Sequence, residues 1–465
     1  PLHMQVGNIE AINFWLVVSD GEDSFNEEMK RLLQEAIAIL NTEDLVLVGG
    51  KRLFEYHTRE KLTELRVVCV NLLKIVISKP DYPNAPRMDI LSTLFKALCS
   101  PESRIIEASY LALKVALSES TKLPRNLLQR GLRPMLMNLA DHKKLSVSNL
   151  EALAKLLVLL ISYFKVEIGN KLMDHLKAWA TPHTLHVISS QDLSSNSTIK
   201  IVSAILNIFH LLPEKARIFI PDILSILNYL EFNLRRCQGS PFRVPIGKFL
   251  NRFASETFTY YLDNFKSTQD QLPYFIQECP ELKNVAKSTF SKLLESVSSE
   301  SDFAIKVIKY GNLINVATAI SESESEWIFE EKAVLEEMRN LTQMIVKKNN
   351  EDPFDKSYHF QLSGAVSKFQ KVFAIYLRHS KDLEMLISFL KFASESQLVL
   401  SVDFEEFVFE VTAKSNDTEL RQDCLNKCVT IFLEPAESLK TKVMLSKKLL
   451  HPIILFENHK NGVIK

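Results

Sequence analysis

From Leu91 to about Leu450 the chain is one amphipathic helical stretch after another, broken only by short polar turns. Apolar residues recur every three or four positions, the spacing of one helix face, and paired runs of alternating strand residues are nearly absent. The segment 88–117 shows the unit. Leu91, Leu94, Phe95 and Leu98 form one stripe, and Ser100-Pro101-Glu102 supplies a stop and a restart. Ser is suited to cap the next helix, Pro to sit in its first turn and Glu to meet its positive end. That helix carries Ile105, Ile106, Leu113 and Leu117, with Ala108, Ala112 and Ala116 small enough for a close neighbour.

A second unit repeats the design. Leu132, Leu136 and Leu139 give the stripe, Ala140-Asp141-His142 the turn, and Ser148 with Glu151 a capping box ahead of Leu150, Leu153, Leu157, Leu160 and Phe164. Leu98 and Leu139 are 41 positions apart, inside the ~40–47 residues of a HEAT or armadillo repeat. Stripes continue at Ile168–Trp179, Ile201–Leu212, Ile223–Leu234 and Phe258–Leu262. Later helices are predicted over Leu282–Val297, Trp327–Val346, Tyr358–Leu377, Leu383–Phe392, Leu420–Phe432 and Leu439–Leu450, and Ser321–Glu326 reads as a polar turn. The first 60 or so residues are less regular, and Leu45–Val48 suits a helix end better than a strand. The expected fold class is all-α, a superhelical α-solenoid of HEAT-like helix pairs, continuous over residues 1–465 and read as a piece of a longer polypeptide.

Composition agrees. A single core stops growing near about 250–300 residues, whereas a stack of repeats extends its core in one dimension. Only 11 Gly occur in 465 residues, against an average near 7%, which leaves little material for phosphate loops or tight hairpins. Lys+Arg and Asp+Glu balance at 56 each, without the basic excess of a nucleic-acid binder. The longest purely apolar run, Leu156–Ile161, is far below the ~20 residues that span a bilayer. Six scattered cysteines suit reduced thiols in a cytosolic or nuclear protein better than a disulfide scaffold.

No motif carries chemistry. Gly49-Gly50-Lys51 lacks the earlier Gly and the following Ser or Thr of a phosphate loop. His175, His183 and His186 have no Cys nearby in sequence to complete a zinc set and read as helix-boundary residues. Cys424 and Cys428 lie one turn apart in an apolar stripe, where Cys acts as a small hydrophobe. Glu405 and Glu406 are adjacent on a helix and point apart. The acidic, Ser-rich run 321–331 suits a solvated turn, or a phosphorylated docking segment. No catalytic, cofactor-binding or metal residue is assigned, and partner-binding residues are not legible.

Two stretches carry a resemblance. Gly131–Trp179 (GLRPMLMNLADHKKLSVSNLEALAKLLVLLISYFKVEIGNKLMDHLKAW) and the shorter Ser240–Phe265 (SPFRVPIGKFLNRFASETFTYYLDNF) resemble the TRRAP family, the large pseudokinase-related subunits of SAGA-type and NuA-type histone acetyltransferase complexes. The resemblance implies part of that family's HEAT-repeat region. It implies a nuclear, non-enzymatic scaffold that receives transcription activators and joins other acetyltransferase-complex subunits. No cofactor, direct nucleic acid contact, membrane or small-molecule substrate is expected. A HEAT-repeat nuclear transport receptor or vesicle-coat adaptor stays open as the alternative, since the same architecture serves several trades.

Overall fold

The computed structural model describes residues 2–18, 27–47, 56–79, 82, 86–118, 137, 139, 141–142, 145–161, 164–189, 191–193, 195–234, 240–264, 271–351, 356–380, 382–396, 398–412, 422, 426, 429–430, 433 and 439–450. Among these the regular structure is helical and no strand occurs. The all-α, HEAT-like class expected from the periodicity is therefore what forms. The expectations at Gly49-Gly50-Lys51, Leu132, Leu136, Cys424 and Cys428 fall outside the described residues. The chain divides into two compact units, Pro1–Phe249 and Leu250–Lys465.

The first unit begins with α1 (Leu2–Val18), α2 (Glu27–Asn41), α3 (Asp44–Leu47), α4 (Tyr56–Ser78), α5 (Arg87–Ala97) and α6 (Ser103–Ser118). It continues with α7 (Val147–Leu160), α8 (Glu167–Trp179), α9 (Pro182–Ser189), α10 (Ser197–Ile208), α11 (Ile220–Leu234) and α12 (Arg243–Arg252), which contains the division between units. One layer runs serially: α1 packs on α4, α4 on α6, α6 on α7 and α7 on α10. A second layer lies beside it, with α2 against α4 and α5, and α5 against α6. This is the two-layer stacking of an α-solenoid. The predicted stripes line the seam: Leu94, Phe95, Leu98, Ile106, Leu113, Leu153, Leu157, Ile205 and Leu212 are all essentially inaccessible. Each such side chain contributes about 1.5–3 kcal/mol through burial.

The caps correct the sequence reading in two places. The cap of α7 is Ser146, whose Oγ accepts from the Asn149 N–H at 3.2 Å, while Ser148 only shares a hydroxyl contact with it. Glu151 does not reach back to a cap but accepts from Ser103 Oγ of α6 at 3.1 Å, tying neighbouring repeats. At the earlier turn α6 starts at Ser103, so Pro101 precedes the helix; the Glu102 carbonyl accepts from Ile105 and Ile106 and its carboxylate takes Arg59 at 2.6 Å.

The second unit holds α13 (Ala254–Asp263), α14 (Gln271–Glu278), α15 (Pro280–Ser298), α16 (Phe303–Ser323), α17 (Glu326–Glu330), α18 (Lys332–Glu351), α19 (Lys356–Ser380), α20 (Leu383–Glu395), α21 (Val402–Thr412) and α22 (Leu439–Leu445), with a π-helical turn at Ser446–Leu450. Its centre is α16, packed by α14, α15 and α19. Every residue from Asn312 to Ser321 is buried, including Asn312, Asn315 and Thr318. The predicted helix 327–346 is broken at Glu331 into α17 and α18. Trp327 anchors the short piece, packing edge-on against Phe290 at 5.0 Å. Phe369, Phe373, Phe389 and Phe404 from α19, α20 and α21 form a shared ring cluster with centroids 5.0–6.2 Å apart.

Candidate functional site

The titratable groups that sequence inspection singled out are held apart. His175 is buried, with Nε2 2.7 Å from the Leu139 carbonyl oxygen, whereas His183 and His186 are exposed on α9. No group of three or more metal-ligating side chains converges among the described residues. Glu405 pairs with Lys448 while its neighbour Glu406 faces solvent. Burial pushes the Cys69 thiol up to about 12 and the Cys99 and Cys279 thiols up to about 11, the wrong direction for a nucleophile. The first residues of the acidic run are tied into the structure, while Glu326 and Glu331 are exposed. Ser321 is buried within α16, Glu322 accepts from Gln277 at 2.8 Å, and Glu324 accepts from Lys287 at 2.6 Å with Lys283 at 3.7 Å. The polar turn expected over 321–326 is thus the last turn of α16 followed by a short break. Hydrogen bonding to Lys287 holds the Glu324 carboxyl below its usual range.

What remains is a surface. Between α1 and α4 lies an open groove of about 560 Å³. From α1, Glu10, Asn13, Phe14 and Val17 face it at positions i, i+3, i+4 and i+7; from α4 come Glu64, Val67, Val68, Asn71, Lys74 and Ile75, and Arg104 of α6 also lines it. Two facing stripes at helical spacing make a trough rather than a pit. Asn13 sets the depth, its Nδ2 donating to the Val68 carbonyl at 3.1 Å. Its Oδ1 is buried without a hydrogen-bond partner among the described residues.

The wall formed by α1 has an unusual composition. Val6, Ile9 and Leu16 are buried against the unit, yet Met4, Phe14, Trp15, Val17 and Val18 are exposed, Phe14 at 72% and Val17 at 67%. A helix apolar on all sides normally has neighbours on all sides. Sequence reasoning passed over this helix because it has no polar face to reveal an amphipathic period; the signal present was the near-continuous apolar run 11–18 itself.

Serial helix pairs in two layers, with no convergent chemistry among the described residues and an apolar trough along one wall, define a HEAT-type repeat protein. The class can be narrowed to a family. A family model described as the Tra1 HEAT repeat ring region matches residues 1–463, and the chain belongs to that family. It is 35% identical over its whole length to the SAGA complex/NuA4 acetyltransferase complex subunit TRA1 of Saccharomyces cerevisiae. It is 37% identical over 64% of its length to the corresponding Schizosaccharomyces pombe subunit, and 22% identical over 99% to the human transformation/transcription domain-associated protein. The chain spans 13%, 8% and 13% of the length of these relatives, respectively.

Proposed function

We propose that this chain is a non-enzymatic scaffold and protein-interaction platform within a nuclear histone acetyltransferase co-activator complex, where it contributes to assembly and receives transcription activators. The observation that carries this reading is the similarity, over the full length of the chain, to a subunit named for both the SAGA and NuA4 complexes. An array of helix pairs suits the role: its stability is the sum of repeats and their interfaces, and it presents extended surface to partners. Direct nucleic acid contact, a membrane and a small-molecule substrate have no part in the reading. No helix among the described residues is long and apolar enough to cross a membrane.

The test is affinity capture of the tagged chain from nuclear extract, followed by identification of the bound proteins. Enrichment of acetyltransferase-complex subunits supports the role. Retrieval of a small GTPase with transport cargo, and of no acetyltransferase subunit, would replace it with a transport receptor.

A further inference from the structure

We propose that Ser323 is a phosphorylation site for a protein kinase that reads carboxylates around its acceptor serine, and that the phosphate loosens the end of α16. The inference goes beyond the scaffold reading and does not depend on it. Three serines alternate with glutamates over 321–326, and the structure separates them. Ser321 is 1% exposed, with its hydroxyl buried. Ser325 is half-buried at the start of α17, and three residues on from it stands Ile328, which is buried. Ser323 alone of the three is exposed. Glu322 precedes it, Glu324 follows it, and Glu326 stands three residues on with its side chain in solvent. Charge patterns of this kind are what a kinase with a basic substrate groove discriminates by.

The backbone suits an acceptor here. Ser323 is the last residue of α16, and Glu324 leaves the helix in an extended conformation, φ −149° and ψ 81°. A hydroxyl in mid-helix is backed by its own turns, whereas one at the helix end stands where the chain already turns away. Ser323 Oγ donates to the Ile320 carbonyl at 3.0 Å, and a single χ1 rotation releases it. In the transfer the kinase's base takes the hydroxyl proton, Oγ bonds to the γ-phosphorus of ATP, and the bond from that phosphorus to the β,γ-bridging oxygen breaks to leave ADP.

The effect follows from place. A phosphate at a helix C-terminus beside carboxylates meets the negative end of the dipole and like charges. These carboxylates are also ties. Glu322 accepts from Gln277 of α14 at 2.8 Å, and Glu324 accepts from Lys287 of α15 at 2.6 Å with Lys283 at 3.7 Å. A dianion between them repels both and competes for the two lysines. The modification thus acts where the end of α16 is fastened to α14 and α15, just ahead of Trp327 in its seat on Phe290.

The test incubates the folded 465-residue chain with an acidic-directed serine/threonine kinase and Mg-ATP, and locates phosphate by peptide mass spectrometry. Phosphate is expected at Ser323 and not at Ser321, and is lost from this segment in Ser323→Ala. Glu326→Gln, at an exposed side chain outside the ties, should slow the transfer several-fold while the melting temperature stays unchanged. On phosphorylation, hydrogen exchange at the end of α16 should quicken several-fold; Ser323→Asp, with less charge, should move it the same way by less. A folded chain left unmodified at Ser323, while a peptide of residues 316–331 accepts phosphate there, would show that the fold withholds the serine and overturn the site. Failure of both substrates would overturn it as well. Slower exchange in the phosphorylated chain would overturn the loosening and show that the phosphate has taken Lys283 and Lys287 from Glu324. None of these outcomes touches the capture of acetyltransferase subunits, which stands or falls by its own experiment.

Discussion

Replacing Gly169 with alanine would put a methyl group where a phenyl ring already lies. A Cβ built on Gly169 stands 2.3 Å from Cε2 and 2.6 Å from Cζ of Phe219, against a comfortable carbon–carbon separation of about 3.5–4.0 Å. The ring would have to retreat by more than about 1 Å. It has nowhere simple to go: Phe219 is 3% exposed and stacks edge-on against Phe209 at 5.7 Å, which in turn contacts Phe249 at 6.0 Å. Overpacking of this kind costs about 1–3 kcal/mol. Helix propensity works the other way, because Ala is favoured over Gly by up to about 1 kcal/mol within a helix. The net expectation is a destabilisation of about 1–2 kcal/mol. Gly364→Ala is the control, since a Cβ there meets nothing within 4 Å; it should stabilise by about 0.5–1 kcal/mol. Two compact units can unfold separately, so the readout is hydrogen exchange resolved to Glu167–Trp179, beside the thermal midpoint. Phe219→Leu placed in the Gly169→Ala background should recover part of the loss, with a coupling of about 0.5–3 kcal/mol. If Gly169→Ala stabilised α8 as Gly364→Ala stabilises α19, the close approach of ring and backbone would be refuted.

Three further outcomes follow from named contacts. The thiols of Cys69, Cys99 and Cys279 should react with a disulfide reagent at pH 8 far more slowly than a free cysteine, reaching its rate only on unfolding; because burial raises their values from 9.0, their contribution to stability is complete below about pH 9 and is lost as pH climbs toward 11–12, which alkaline melting would show. Ser146→Ala should destabilise by about 1 kcal/mol in urea unfolding while Ser148→Ala changes little, and the reverse result would restore the capping box read from sequence. Glu324, held below 4.5 mainly by its hydrogen bond to Lys287, stabilises the second unit above that pH and loses the contribution as pH falls through its folded value; Glu324→Gln should flatten the acid limb of the melting curve.

The helices that sequence reading found and those it missed differ in one physical respect. Ser197–Ile208 and Pro280–Ser298 bury one face and show the other to water, so their apolar residues repeat with the helical period. The helix Phe303–Ser323 is enclosed by three neighbours, and its buried positions run through Asn312–Ser321 without a gap. With no solvated face there is no period, and its internal Asn and Thr residues resemble the polar residues of a turn. The folded unit supplies partners for some polar groups, Lys368 donating to Asn315 at 2.6 Å and Tyr310 pairing with Thr342 at 2.8 Å, while Thr318 bonds back to Ile314 within the helix and Asn312 Oδ1 stays buried without a hydrogen-bond partner among the described residues. The caps show the same limit at finer scale. Ser146 and Ser148 are equally suitable as residue types, and backbone entry to the helix selects the first.

Helical class was determined by sequence alone, because it depends on residues within a turn or two of one another. The groove was decided by tertiary structure. Asn13 and Val68 are 55 residues apart, and nothing local to either implies that α1 lies along α4 with Phe14 and Val17 left in solvent. The same holds for charge. The composition is neutral, and although the Lys61–Glu64 pair is local to one helix turn, only packing brings Arg104 of α6 to the groove that Glu10 and Glu64 line. Short-range periodicity records which residues avoid water, whereas the surfaces that stay open depend on which helices meet.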